Sequence, residues 1–168
     1  MFKYLNVKYM IDNYFTMYVN AQAMCSSFKS EILSGIHALG TTVVRAAATA
    51  DTIKAALYLA TATISAATTA YSATGEVTGT NYVAGGVVVT NAVVPAVSGT
   101  VGYWTPSASI TYTNVTLATS FDCVLLYNST QANRAISAHT FGAQTVSAGN
   151  FTLTMPTNAS TTALIRIA

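Results

Sequence analysis

Nine side chains in this sequence are of the types that acid–base, nucleophilic or metal chemistry requires: Asp12, Glu31, Asp51, Glu76, Asp122, His37, His139, Cys25 and Cys123. No two carboxylates are neighbours in sequence, and neither histidine has a second donor at metal-ligand spacing. His37 falls beside the apolar stripe of a predicted helix, and His139 falls in a predicted strand beside Thr140 and Phe141. Both are expected to be packed or capping histidines. Cys123 and His139 would be the one nucleophile pair, but Cys123 lies in the apolar run FDCVLL, where a thiol stays protonated and inert. Gly85-Gly86 follows a short strand pattern without the GxGxxG spacing or the helix that a phosphate cradle needs. Tyr103, Trp104 and Tyr112 could form a sugar-stacking platform, although such rings serve equally as core or interface anchors, which is the preferred expectation. These patterns predict no catalytic residues, no cofactor and no metal site.

The elements that would position these residues change character along the chain. Over 27–38 (SFKSEILSGIHA), Phe28, Ile32, Leu33 and Ile36 make an apolar stripe at helical spacing. Ser26 or Ser27 can cap it, Glu31 lies near the positive end of the dipole, and Gly40 is a natural stop. From residue 41 the period is two. TIKAALYL (52–59) sets Ile53, Ala55, Leu57 and Leu59 on one face and Lys54, Ala56 and Tyr58 on the other, the pattern of a half-buried strand. Residues 61–75 read as an irregular loop. Short strands are expected near 80–84, 86–91, 99–104, 108–114, 121–127, 133–141, 149–155 and 162–167. Turn-rich pieces separate them at Pro95 to Gly99, Pro106-Ser107, 128–133, 148–150 and 156–158. Strands at this spacing predict a mainly β fold, an antiparallel sandwich or barrel of about eight short strands with one short N-terminal helix and an arm. FDCVLLYN and NRAISAHTFG should form a hairpin. Domain organisation is then an arm or extension over 1–26 and a single β-rich domain over 27–168. No repeat of fixed period appears.

Composition narrows the function. Hydrophobic residues make up 52% and charged residues only 7%, against a usual share of about 25% charged. Residues 77–121 hold no formal charge, and beyond Glu76 only Asp122, Arg134 and Arg166 carry one. A surface this neutral favours association with copies of itself or with a protein partner. The 10 Tyr, 6 Phe and many Val argue against disorder. A net charge of +2 with no basic run argues against nucleic acid as a partner. Two distant cysteines make no disulfide framework and are expected as free thiols.

The first residues, MFKYLNVKYMIDNYFTMYVN, hold Lys3 and Lys8 but no continuous apolar stretch, so they make a poor signal peptide. Either Met24 is the original start or the segment is an arm whose Tyr4, Tyr9, Tyr14 and Tyr18 anchor an interface. Residues 55–70 are too short and too hydroxylated for a membrane span, and 82–98 are broken by Gly85-Gly86, Asn91 and Pro95. The sequons at Asn114, Asn128, Asn150 and Asn158 read as turn and edge residues.

The ordered phrases SFKSEILSGIH (27–37), DTIKAALYLATATI (51–64), TTAYSATGEVTGTNYVAGG (68–86), LLYNSTQANRAI (125–136), FGAQTVSAGNFTLTMP (141–156) and ALIRIA (163–168) resemble a family of small β-rich virion proteins of tailed bacteriophages. ALYLATATI, GTNYVAGG and YNSTQANRAI are the most specific of them. The resemblance implies a structural virion component without catalysis, and it transfers no site residues. Residues 1–23 lie outside it.

Together these features predict a non-enzymatic capsid decoration or cement protein on the virion head, made in the host cytoplasm. Its partners would be the major capsid protein or another virion protein, and itself, as a homotrimer or higher oligomer. The alternatives are a tail, neck or fibre component touching a host glycan through Tyr103, Trp104 and Tyr112, and a bacterial surface adhesin or carbohydrate-binding module. The candidate interface residues are Tyr4, Tyr9, Tyr14, Tyr18, Tyr103, Trp104 and Tyr112.

Overall fold

Alternating apolar residues on both sides of a turn-forming NSTQAN segment give one dominant feature, a long antiparallel hairpin. The computed structural model describes residues 20–25, 32, 35–41, 50–99 and 101–168. Among these, Ile110–Asn128 forms β6 and Arg134–Leu153 forms β7, after β1 (Ala23–Met24), β2 (Ile53–Leu59), β3 (Val87–Val88), β4 (Ala96–Ser98) and β5 (Val101–Trp104), and before β8 (Ile165–Ile167). The hairpin is the spine of a five-stranded sheet in the order β1-β7-β6-β2-β3, and β4-β5-β8 make a second, three-stranded sheet. Every described pairing is antiparallel. The fold is mainly β, as the sequence predicts.

The hairpin was expected as four short strands and is two long ones. The turn-forming residues at Asn114 and at Ala148-Gly149-Asn150 do not end strands. Asn114 (φ 50°) and Ala148 (φ 47°) adopt left-handed backbone inside them. The ladder shifts register there, between Tyr112 and Val115 and again before Leu117. Residues that favour turns have been absorbed as bulges, which bend a strand without terminating it.

The strand expected at 80–84 is a sequence of turns, with Asn81 at φ 62° and a single bridge from Thr80 to Thr116. The one at 86–91 shrinks to Val87–Val88. The turn expected at Pro95 to Gly99 is β4 itself, and the chain reverses at Gly99 (φ 59°). Most of the helix expected over 27–38 lies outside the described residues. Its last part is not helical: Gly35 has φ 70°, and Ile36–Ala38 are irregular. Ala23 and Met24 pair with Ala138 and Ser137 of β7, so β1 forms the edge of the five-stranded sheet. Tyr4, Tyr9, Tyr14 and Tyr18 lie outside the described residues.

β2 was expected to be half-buried, yet Ala56 and Tyr58 are as inaccessible as Ile53, Ala55 and Leu57. The cause is the loop after Tyr71. Leu59 N–H donates to Gly75 O, Val77 N–H donates to Leu57 O, and Tyr58 Oη donates to Ser72 O at 2.6 Å. Irregular chain thus continues the sheet where β3 stops. Gly86 makes this possible. It has φ 70°, and a Cβ there would lie 1.7 Å from Ala55 O, so only glycine lets the loop approach β2.

Candidate functional site

Three arrangements bring chemistry-bearing or contact-forming residues together. In the first, the loop that covers β2 carries Glu76, a buried carboxylate. Its Oε2 accepts from Tyr71 Oη at 2.6 Å, and its Oε1 accepts from Tyr82 Oη and from Gly85 N–H, both at 2.7 Å. Tyr82 Oη also accepts from Leu57 N–H at 3.0 Å, which ties the carboxylate to β2. Tyr127 closes the ring: it stacks on Tyr71 with centroids 4.7 Å apart and donates to Gly85 O at 2.8 Å. Burial raises the pKa values of Tyr71 and Tyr82, and their hydrogen bonds to Glu76 raise them further. Both phenols are therefore fixed donors at neutral pH. A buried carboxylate that accepts three short hydrogen bonds pins the loop that carries it.

In the second arrangement, Asp51 precedes β2 and Asn128 ends β6, facing Ile53 across the ladder. Asp51 Oδ2 accepts from Asn128 Nδ2 at 2.7 Å and from Ala38 N–H at 3.0 Å, and Oδ1 accepts from Gln131 Nε2 at 3.3 Å. His37 Nδ1 is 3.1 Å from Asn128 Nδ2. Asn91 donates to Asp51 O and accepts from Gly40 N–H. These contacts clamp segment 36–41 to the end of the sheet.

His139 and Cys123 face neither network. Burial pulls the His139 pKa down to about 4, and its Nε2 lies 2.9 Å from Ser137 Oγ. Burial, with Asp122 beside it, pushes the Cys123 thiol up to about 12. Cys25 and Cys123 are both buried free thiols. Across the β6–β7 ladder Cys123 faces Thr140 and His139 faces Val124, so alternation sets the Cys123 and His139 side chains on opposite faces of the sheet and not as a nucleophile pair.

The third arrangement is a surface. Across the small sheet, Val97 faces Gly102 and Gly102 faces Ile167, while Trp104 faces Ile165. Alternation therefore places Val97, Gly102, Trp104, Ile165 and Ile167 on one face. The inner half of that face, Trp104 and Ile165, is buried in the core, and Trp104 Nε1 donates to Val93 O at 2.9 Å. The outer half is open: Val97 is 72% exposed and Ile167 41%. Leu39 and Val94 wall one side, leaving an apolar recess of about 550 Å³.

Tyr103, Trp104 and Tyr112 do not converge as the alternative sugar-stacking platform, and two of them are the core anchors that the preferred reading allows. Tyr112 is a core residue that donates to Ala55 O at 2.9 Å and stacks near Tyr82. Trp104 is the buried floor of the recess. Tyr103 lies on the other face of the small sheet, in the row of Ala96 and Arg166. Sequence reasoning missed Val97, Gly102 and Ile167 because their partnership depends on register across three short strands. It also missed Glu76, whose signal was a lone carboxylate in a stretch rich in tyrosine. Among the described residues no group of three or more metal-ligating side chains occurs, and no helix is long and apolar enough to cross a membrane. No protein-family model, curated protein or solved structure matches the chain.

Proposed function

We propose that this chain is a non-enzymatic structural protein of a tailed-bacteriophage virion, a decoration or cement component that binds the major capsid protein and copies of itself. The observation that carries this proposal is how the carboxylates are used. Asp51 and Glu76, both buried, each accept at least three internal hydrogen bonds and hold loops against the sheet. Their chemistry is spent on rigidity. Among the described residues, what remains outside carries few charges (Lys54, Asp122, Arg134 and Arg166) beside an apolar strip on the small sheet and hydroxyl and amide side chains along the hairpin. Rigid, sparsely charged surfaces suit a protein displayed in many copies, where weak contacts add up through avidity.

The phrases that carry the phage resemblance fall on the architecture. ALYLATATI covers the second half of β2 and the turn after it, GTNYVAGG supplies Tyr82 and Gly86, and YNSTQANRAI supplies Asn128 and the hairpin turn. They support a shared fold, with function following from it as a proposal. The glycan-binding alternative loses its main support, because Trp104 and Tyr112 are interior.

The test is immunogold electron microscopy of purified virions with an antibody raised against this chain. Label over the whole head supports decoration. Label confined to tail or neck moves the chain to that organelle, and unlabelled virions reject the proposal.

A further inference from the structure

The stacked pair Tyr71 and Tyr127 is aligned end for end. Tyr71 N–H donates to Asn133 O at 2.9 Å, beside the Ala70–Arg134 bridge, so the hairpin turn holds Tyr71 in place. Its ring lies on that of Tyr127 with centroids 4.7 Å apart and planes 18° from parallel. Ring carbons in such a stack are in van der Waals contact, about 3.5–4 Å apart. The two hydroxyls also converge. Tyr71 Oη donates to Glu76 Oε2 at 2.6 Å, Gly85 N–H donates to Glu76 Oε1 at 2.7 Å, and Tyr127 Oη donates to Gly85 O at 2.8 Å. The stack is therefore head to head, and the carbons that flank each hydroxyl lie at the same end. Those ortho carbons share the unpaired electron of a phenoxyl radical and are where two phenols couple.

We propose that Tyr71 and Tyr127 form an oxidative cross-linking site, at which a one-electron oxidant of the peroxidase–peroxide class joins the two rings by a bond between ortho carbons. Burial and the bond to Glu76 keep the Tyr71 phenol protonated at neutral pH, so its electron leaves together with its proton. Glu76 Oε2, already in hydrogen-bond contact, is the atom that takes that proton. Tyr71 is the partly exposed member of the pair and Tyr127 is buried, so oxidation starts at the rim. Loss of a hydrogen atom from each O–H gives two phenoxyls. Their ortho carbons bond, and the hydrogen on each of those carbons moves to oxygen and restores both phenols. The sum is two hydrogen atoms removed, which reduce one peroxide to two waters. Fixed contact supplies the proximity that free tyrosines lack. Tyr82 and Tyr112 form the internal comparison: they also stack, but their centroids are 5.9 Å apart and Tyr112 is buried. The product ties the loop that covers β2 to the hairpin by a covalent bond. It is a property of the chain alone, independent of the virion assignment.

The test is oxidation of the dilute full chain by a haem peroxidase and hydrogen peroxide, followed by isolation of the monomer, digestion and mass spectrometry. The expected product is a monomer lighter by two hydrogens, with dityrosine fluorescence and the peptide of Tyr71 joined to that of Tyr127. Tyr71→Phe and Tyr127→Phe should each abolish this link and Tyr103→Phe should leave it, with circular dichroism verifying that each variant is folded. Glu76→Gln should slow the link on the order of tenfold or more, and an unchanged rate would overturn the role given to the carboxylate. The wild-type chain should lose the link in denaturant, since only the fold holds the rings in contact. A native monomer that forms no link, a link between other tyrosines in its place, or the same link formed equally well in denaturant would each overturn the proposal.

Discussion

Asn128 fixes the tautomer of His37. The Oδ1 of Asn128 accepts backbone N–H bonds from Thr130 and Gln131, both at 3.1 Å, so its amide nitrogen must face the other way. That nitrogen lies 2.7 Å from Asp51 Oδ2 and 3.1 Å from His37 Nδ1. An amide NH₂ can only donate, so His37 accepts at Nδ1 and carries its proton on Nε2. Nitrogen-15 NMR at neutral pH should show His37 as the Nε2–H tautomer. Asn128→Asp would set a second carboxylate against Asp51 and remove both donations. It should cost on the order of 3–5 kcal/mol in urea unfolding, more than Asn128→Ala.

Glu76 should be the most costly carboxylate to remove. Glu76→Ala leaves two phenols and the Gly85 N–H without their acceptor. The expected loss is about 2–4 kcal/mol in denaturant unfolding. Tyr71→Phe removes one donor at the rim and should cost about 1 kcal/mol.

His139 gives stability a defined slope with pH. Its folded pKa of about 4 lies below the unfolded value near 6.5. Between these values the unfolded chain binds the extra proton, so the contribution is complete above pH 6.5 and is lost as pH falls towards 4. It amounts to on the order of 2–3 kcal/mol. Unfolding free energies of wild type and His139→Gln, compared at pH 7 and pH 4.5, should show a steeper fall in wild type; parallel falls would refute it.

Both thiols should be silent in the native state. Cys123 is raised to about 12 and, like Cys25, is inaccessible to solvent. At pH 8 a disulfide reagent should react with neither, and with both after addition of denaturant. Rapid labelling of the folded chain would contradict the burial described for them.

Two glycines should respond in opposite ways to an added methyl. Gly86→Ala brings a Cβ against Ala55 O at a left-handed position, and should cost several kcal/mol or abolish folding. Gly102→Ala brings its Cβ no nearer than an ordinary contact of 4.0 Å with Ile167 O among the described residues, and should leave unfolding of the isolated chain unchanged. Circular dichroism melts of the two variants make the comparison.

How far the sequence was readable depended on the distance over which each signal acts. The hairpin was legible because apolar residues alternate on both sides of a six-residue turn, and its two strands pair close in sequence. β2 was legible for the same reason, but not its second covered face. Tyr58 and Ala56 are covered by a loop with no period of its own, held by Glu76 through tyrosines six or fewer residues away. Asn114 and Ala148 misled because the same left-handed backbone serves a turn and a bulge, and only the ladder on both sides decides which. The aromatic trio divides between core and surface. Tyr103 and Trp104 are adjacent in sequence, so a strand must place them on opposite faces.

The position of β2 has a consequence for how the chain is made. Its ladder partner Phe121–Asn128 is synthesised more than sixty residues later. At roughly 5–20 residues per second, a strand destined to be apolar on both faces leaves the ribosome several seconds before the hairpin that shelters it. For that interval Ile53–Leu59 is exposed, with Lys54 as its one charge. The state of the nascent chain then depends on the order of synthesis, and the arrival of the hairpin is the event that covers the strand.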